Sequence, residues 1–343
     1  SKLVFVSPDS IRPLSQRVRY NSELQSLDST VHDYYGMGKG QIESLNGRKL
    51  HDLGFMGQGM TIAVLDAGFM NVDKIAAFRN LNIKGTHNFV AGYDNDVYKE
   101  MDHGTKTLST IAMNQPTVFV GTAPKADFWL LRTEDYSTES PAEEDFWIAA
   151  VEFSDSVGVD IISSSLGYHG FDDISMNYRY SDLNGRTAAI SQAASRLASK
   201  GIILVNSAGN DGMGTWKKIN VPADAHDILT VGAVSLDKVN APFSSIGPTA
   251  DGRIKPDVMA YGCPTNVVSG RGYIIPDNGT SFACPLIAGM VACLWQACPN
   301  KSAKEILDIV RQSGNNCQSP DNIMGYGIPD FWSAYQSATR YNQ

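Results

Sequence analysis

Five short apolar runs constrain this chain more than anything else in it: MTIAVLDAG at 60–68, ADFWLLRT at 126–133, VDIISSSLG at 159–167, GIILVNSAGN at 201–210 and ILTVGAV at 228–234. Each has the length of a strand, is rich in Val, Ile and Leu, and is nearly continuous rather than alternating, so each has to be covered on both faces. Between them lie helix-length amphipathic segments, TKTLSTIAM, EEDFWIAAVEFSDSVG and AAISQAASRLASKG, the last stopped by Gly201 as a helix C-terminus should be. The alternation specifies an α/β fold: a three-layer, doubly wound, mainly parallel sheet with helices on both faces. In such sheets ligands and chemistry gather beyond the carboxyl ends of the strands, which directs attention to the polar residues that close these runs.

At 343 residues, 43% hydrophobic and 19% charged, the chain is long enough for one large core. No internal repeat or low-complexity tract divides it. One domain is expected over residues 34–343, preceded by an arm or processing remnant over 1–33. Its 28 basic and 36 acidic side chains give a formal charge of −8 with no basic cluster, which argues against a nucleic-acid partner. No apolar stretch is expected to reach the roughly 18 uncharged residues of a membrane span, and a monomer is expected. The N-terminal SKLVFVSPDS is not a signal peptide as it stands, so a secreted, periplasmic or cell-surface location requires a leader already removed.

Five cysteines, Cys263, Cys284, Cys293, Cys298 and Cys317, form no CxxC pair. Cys298 and Cys317 flank the helix-like PNKSAKEILDIVRQSG. A bridge between them is expected to tie its two ends, which implies an oxidising compartment. Cys284 and Cys293 lie in the apolar run LIAGMVACLW and its lead-in, and read as small buried hydrophobes.

Four polar residues stand where the sheet rule points. Asp66 closes TIAVL, His103 opens the helix of DHGTKTLSTIA, Asn210 ends LVNSAGN, and Ser281 in DNGTSFACP precedes a buried helix. Each has an ordinary reading: Asp66 and Asn210 as turn residues, His103 as a surface or core residue, Ser281 as a helix cap. Their conjunction has another. Amide hydrolysis by a hydroxyl needs a base, a carboxylate to orient the base, and donors for the oxyanion. The chain order Asp, His, Ser is that of subtilisin, and Ser281 lacks the GxSxG elbow of the α/β-hydrolases.

At these residues the chain resembles the subtilisin-like serine proteases, the subtilases. The stretches that carry the resemblance are IAVLDAGF, DHGTKTLSTIA, SSSLG, NSAGNDG, FSSIGPTADGRIKPDVMAYG and NGTSFACPLIAG, in order from about residue 35 to near the C-terminus. The resemblance implies a peptide-bond hydrolase with Ser281 as nucleophile, His103 as general acid and base, Asp66 orienting the imidazole and Asn210 as oxyanion donor. It implies a primary specificity pocket and a peptide-pairing edge formed by Ser163, Ser165, Leu166 and Gly167 with Ser207, Ala208 and Gly209. The partner is then an extended polypeptide. Asp211 is expected near the pocket's rim, and large apolar side chains are the expected preference, with basic ones as the alternative. Pro285 is compatible with Ser281 at the head of a helix, because the first helical turn has no amide hydrogen bond to lose.

The chain departs from the family elsewhere. Where many subtilases carry an Asn-rich calcium loop it reads MNQPTVFVG, with Pro116 in place of ligand residues. YDND and SDLNG supply acidic oxygens that surface turns explain equally well. No cofactor is needed for the chemistry, and structural calcium stays unassigned. Residues 168–187 read as an insertion bordering the substrate cleft. Two other functions remain open: a catalytically silent binding protein on this fold, and a serine esterase.

Overall fold

The computed structural model describes residues 33–339, so the expected N-terminal arm lies outside the described residues except for Asp33. The helices are α1 (Lys39–Ser44), α2 (Arg48–Asp52), α3 (His103–Ala112), α4 (Ala142–Ser156), α5 (Ala189–Ala194), α6 (Thr280–Ala297), α7 (Ala303–Gln312) and α8 (Phe331–Thr339). The main strands are β1 (Thr61–Asp66), β2 (Asn82–Asn88), β5 (Asp127–Arg132), β6 (Ile161–Ser164), β7 (Ile203–Ser207), β8 (Leu229–Ser235) and β9 (Val258–Cys263). Two small hairpins pair β3 (Asn114–Gln115) with β4 (Phe119–Val120) and β10 (Thr265–Val268) with β11 (Ile274–Asp277).

The seven main strands form one sheet in the order β2-β5-β1-β6-β7-β8-β9, with every neighbouring pair parallel. From β1 the chain passes to the edge strand β2, returns to β5 between them, and then crosses to β6 on the other side of β1. The end of β1 is therefore the switch point where a doubly wound sheet leaves a crevice, and the last residue of β1 is Asp66.

Strand alternation divides the interior into two cores. Ile62, Val64, Phe128, Leu130, Ile203 and Val205 face the layer that holds α3 and α6, and Ala63, Leu65, Leu131 and Leu204 face the layer of α4 and α5. Nearly all of these side chains are fully buried, each contributing roughly 1.5–3 kcal/mol of transfer free energy. Helix α6 lies across β6 to β9 and against α3.

Several expectations need correction. Helix α6 is uncharged over all 18 of its residues, long and apolar enough to cross a bilayer; yet 83% of it is buried, which makes it a core helix of this fold. Cys298 and Cys317 are both free thiols, as are the other three cysteines. They lie beyond opposite ends of the ten-residue α7, whose helical rise is about 15 Å. With no bridge, the argument for an oxidising compartment falls away. The expected long helix at 188–201 breaks after Ala194, because Ser195 Oγ turns back to Ser191 O at 2.7 Å and accepts from His226 N at 2.9 Å. Gly201 does close the segment, at φ +87°.

Candidate active site

Asp66 emerges from β1 into a fully buried position where three donors meet its carboxylate. Ala67 N donates to Oδ1 at 2.8 Å, Thr107 Oγ1 to Oδ2 at 3.0 Å, and His103 Nδ1 to Oδ1 at 2.7 Å. A carboxylate only accepts, so the last bond places the proton on Nδ1 and leaves Nε2 with its lone pair. Thr107 is the residue that sequence reading missed. It lies four positions after His103, on the same face of α3, a spacing that marks it in retrospect.

The start of α3 reaches Asp66 because residue 104 has no side chain. Gly104 N donates to Gly68 O at 2.9 Å, and a Cβ there would lie 2.4 Å from that same oxygen. Burial opposes the charged imidazole of His103, but the adjacent Asp66 carboxylate outweighs it and holds the pKa above its ordinary value. The helix is anchored to the β10–β11 hairpin as well: Asp102 Oδ2 accepts from Gly270 N at 3.0 Å, and Lys106 pairs with Asp277 at 3.1 Å.

The second group is built on the head of α6. Thr280 donates to Asn210 Oδ1 twice, from its backbone N at 2.9 Å and from Oγ1 at 3.0 Å. Two donors on one atom identify it as the amide oxygen, so Nδ2 of the exposed Asn210 is left as a donor to other groups. Ser281 follows, 8% exposed, and its backbone N–H belongs to the first turn, where helical amides have no intrahelical acceptor. Its hydroxyl donates to Ser165 O at 3.4 Å and is not hydrogen-bonded to His103. The Phe282 ring lies 5.7 Å from the His103 ring.

Pro285 is not in the first turn. With α6 starting at Thr280 it is the sixth helical residue, and its missing N–H is the one that would have bonded the carbonyl of Ser281. Ser165 Oγ takes that acceptor instead, donating to Ser281 O at 2.8 Å.

Beside Ser281 opens a cleft of about 300 Å³. Ser165, Leu166 and Gly167 line one wall, Ser207, Gly209 and Asn210 line the other, and Asn220 is the deeply buried residue between them. Ser163 and Ala208 are not at this surface. Ser163 is inside the sheet between Val64 and Val205, and Ala208 is fully buried in the core of the α4 layer. His169 and Gly170 also line the cleft, as expected of an insertion bordering it, and Asp211 stands beside Asn210. Cys284, one turn below Ser281, is buried, which pushes its thiol up to about 12 and leaves it inert. Among the described residues no cluster of three or more His, Cys, Asp or Glu could hold a metal ion.

A serine at the head of a core helix, next to a buried carboxylate and imidazole at the switch point of a doubly wound sheet, places the protein among the serine peptidases. The chain belongs to the subtilase family, whose sequence profile it matches over residues 57–327, and it is a subtilisin-like serine endopeptidase. Subtilisin NAT from Bacillus subtilis subsp. natto is 29% identical over 283 residues, which cover 82% of this chain and 67% of that one. Subtilisin Savinase from Lederbergia lenta is 27% identical over 280 residues, covering 81% and 91% respectively. Among solved structures, MycP1 from Mycobacterium smegmatis shares the fold with a TM-score of 0.68, over 90% of this chain and 86% of that one, at 21% sequence identity.

Proposed function

We propose that Ser281 attacks the peptide carbonyl and that His103, Asp66 and Asn210 serve that attack. The observation that carries this reading is the 2.7 Å bond from His103 Nδ1 to the buried Asp66, which leaves Nε2 as a base on the helix that packs against α6. On substrate binding the Ser281 hydroxyl turns from the Ser165 carbonyl toward Nε2, a tightening common when the reacting complex forms. The Oγ–carbon bond forms as the proton passes to His103. The developing oxyanion accepts hydrogen bonds from Ser281 N–H and Asn210 Nδ2 at the positive end of the α6 dipole. Collapse breaks the carbon–nitrogen bond, and His103 returns its proton to the leaving amine. Water, deprotonated by His103, then hydrolyses the acyl-enzyme.

The substrate is an extended polypeptide. Residues 165–167 continue past the last sheet pairing of β6 at Ser164, so their backbone is positioned to pair with an incoming strand. The test is labelling with a fluorophosphonate, peptide mapping, and a casein assay on the same preparation. Label on Ser281 with casein cleavage supports the assignment. Label elsewhere removes Ser281 as nucleophile, and an unlabelled, inactive protein would favour a silent binding role.

A further inference from the structure

The cleft beside Ser281 is acidic and holds an unused acceptor. The carboxyl groups of Glu134, Glu139 and Asp211 line it, and among the described residues no lysine or arginine does. Asn220 is 6% exposed, and its Nδ2 donates to Asp211 Oδ2 at 3.0 Å. That bond fixes the orientation of the amide, since a carboxylate cannot donate. The other atom, Oδ1, is buried with no hydrogen-bond partner. Asn220 also fits tightly between the walls: a Cβ on Gly209 would lie 2.9 Å from Nδ2, and one on Gly167 would lie 3.0 Å from the Asn220 Cβ. The two glycines therefore approach Asn220 more closely than any residue with a side chain could.

On the rim, the charge balance is similarly incomplete. Asp211 Oδ2 lies 3.9 Å from His169 Nδ1, whose ring is held by stacking on Trp216 at 4.8 Å. Glu134 takes two hydrogen bonds on the same oxygen, from Tyr168 Oη at 2.5 Å and Thr133 Oγ1 at 3.1 Å. We infer that this cleft receives a lysine or arginine side chain, carried by the residue whose carbonyl Ser281 attacks, with Asp211 and the Asn220 carbonyl as its principal acceptors. The inference rests on the acyl-enzyme reading above only for the identity of that residue. A large apolar side chain, the preference expected from family resemblance, would leave the buried Asn220 oxygen unpaired and take the Asp211 carboxylate out of water without supplying a donor, which is unfavourable. A guanidinium or ammonium supplies donors and charge together. Burial, and then the charge of Glu143, push the Glu134 carboxyl well up, so an arriving cation is also the partner that favours its ionised form.

The experiment compares peptide p-nitroanilides that differ only at the attacked residue, Lys, Arg, Leu or Phe, with rates normalised to fluorophosphonate-titrated sites. Lys or Arg should exceed Leu and Phe in kcat/KM by about tenfold or more, and Asp211→Asn should lower the Lys-to-Phe ratio by about tenfold. Equal rates, a preference for Leu or Phe, or an unchanged ratio in Asp211→Asn would overturn the inference. Binding of p-aminobenzamidine to Ser281→Ala, read by its fluorescence, provides a test that needs no turnover. Saturable binding that Asp211→Asn weakens supports the cation site even if every peptide resists cleavage, an outcome that would count against the acyl-enzyme reading alone. No binding to Ser281→Ala overturns the site.

Discussion

Asp66 and His103 sit in a closed network, 0% and 7% exposed, with contacts from Ala67, Thr107 and the imidazole all between 2.7 and 3.0 Å. Ser281 and Asn210 are held differently: the hydroxyl makes one 3.4 Å bond, and the side chain of the exposed Asn210 is anchored by its oxygen. Under the roles proposed above, the base is assembled before substrate arrives, whereas the nucleophile and oxyanion donors are completed by it. Interactions completed only in the transition state are the ones that raise kcat. The comparison therefore predicts which changes act on chemistry alone and which also disturb the fold.

The largest effect belongs to Ser281→Ala. It should abolish acylation, with kcat falling by about 10⁶, the scale found when the nucleophile of subtilisin is removed. Adding His103→Ala should cost little more, since the residues act as a unit. Active-site labelling and steady-state kinetics on the single and double variants check this, and a double variant far worse than either single one would show that the two halves act independently.

Asn210→Ala comes next. It removes Nδ2 and should lower kcat by roughly 10²–10³ with KM little changed, the range measured for an oxyanion asparagine in subtilisin. It also strips Thr280 N and Oγ1 of their shared acceptor, so a small loss of melting temperature is expected alongside. A folded variant with full kcat would place Asn210 outside the site and leave only the anchoring role.

How far the sequence announced this arrangement differs between the halves. Asp66, His103, Asn210 and Ser281 were legible because each sits in a short contiguous stretch at the end of a readable strand or the head of a helix. Thr107 was accessible from its i+4 spacing to His103. Ser165 was legible as a wall of the cleft, but its bond to Ser281 O and those of Thr280 to Asn210 were not, since they are made across 116 and 70 positions of sequence. Asn220 reaches the cleft from a segment with no readable strand. Strand β2, NIKGTHN, escaped notice because an edge strand half exposed to water, with a register shift between Ile83 and Gly85, shows no apolar run. The proposed cysteine bridge failed for the opposite reason: proximity in sequence was taken for proximity in space.

The pH response should separate activity from stability. As the proposed base, His103 would have to be neutral to accept the serine proton, and its pKa is raised, so kcat/KM should fall on acidification with an inflection above the ordinary ~6.5 of an imidazole. Stability should move the other way. A histidine whose folded pKa is raised adds stability that is fully present below the unfolded pKa and is lost as pH rises through the folded one. Glu143 and Glu144 are buried, which raises both to about 7; the folded state therefore binds more protons than the unfolded chain between about 4.5 and 7, and they act in the same direction. Melting temperature should therefore decline from pH 5.5 to pH 8 while activity climbs. Activity that does not fall on acidification would contradict the assignment of His103 as base, and Glu144→Gln should flatten the stability curve without displacing the activity inflection.

The smallest predicted effect probes the joint between the two halves of the cleft. Ser165 Oγ donates to Ser281 O, the carbonyl that Pro285 leaves without its helical amide, and Ser165 O receives the Ser281 hydroxyl. Ser165→Ala leaves a buried carbonyl unpaired, which should cost about 1–3 kcal/mol, a fall of several degrees in melting temperature. The serine loses an anchor of its backbone, so kcat should drop by roughly tenfold through misplacement of Oγ. Pro285→Ala supplies the missing amide at the i+4 position. If the Ser165 bond serves chiefly to satisfy that carbonyl, the double variant should recover most of the lost stability, and the two changes should couple by at least about 0.5 kcal/mol, above what independent sites show. Additive losses in melting temperature would mean that Ser165 supports the site through the wall of the cleft instead, and that the break in α6 at Pro285 is unrelated to it.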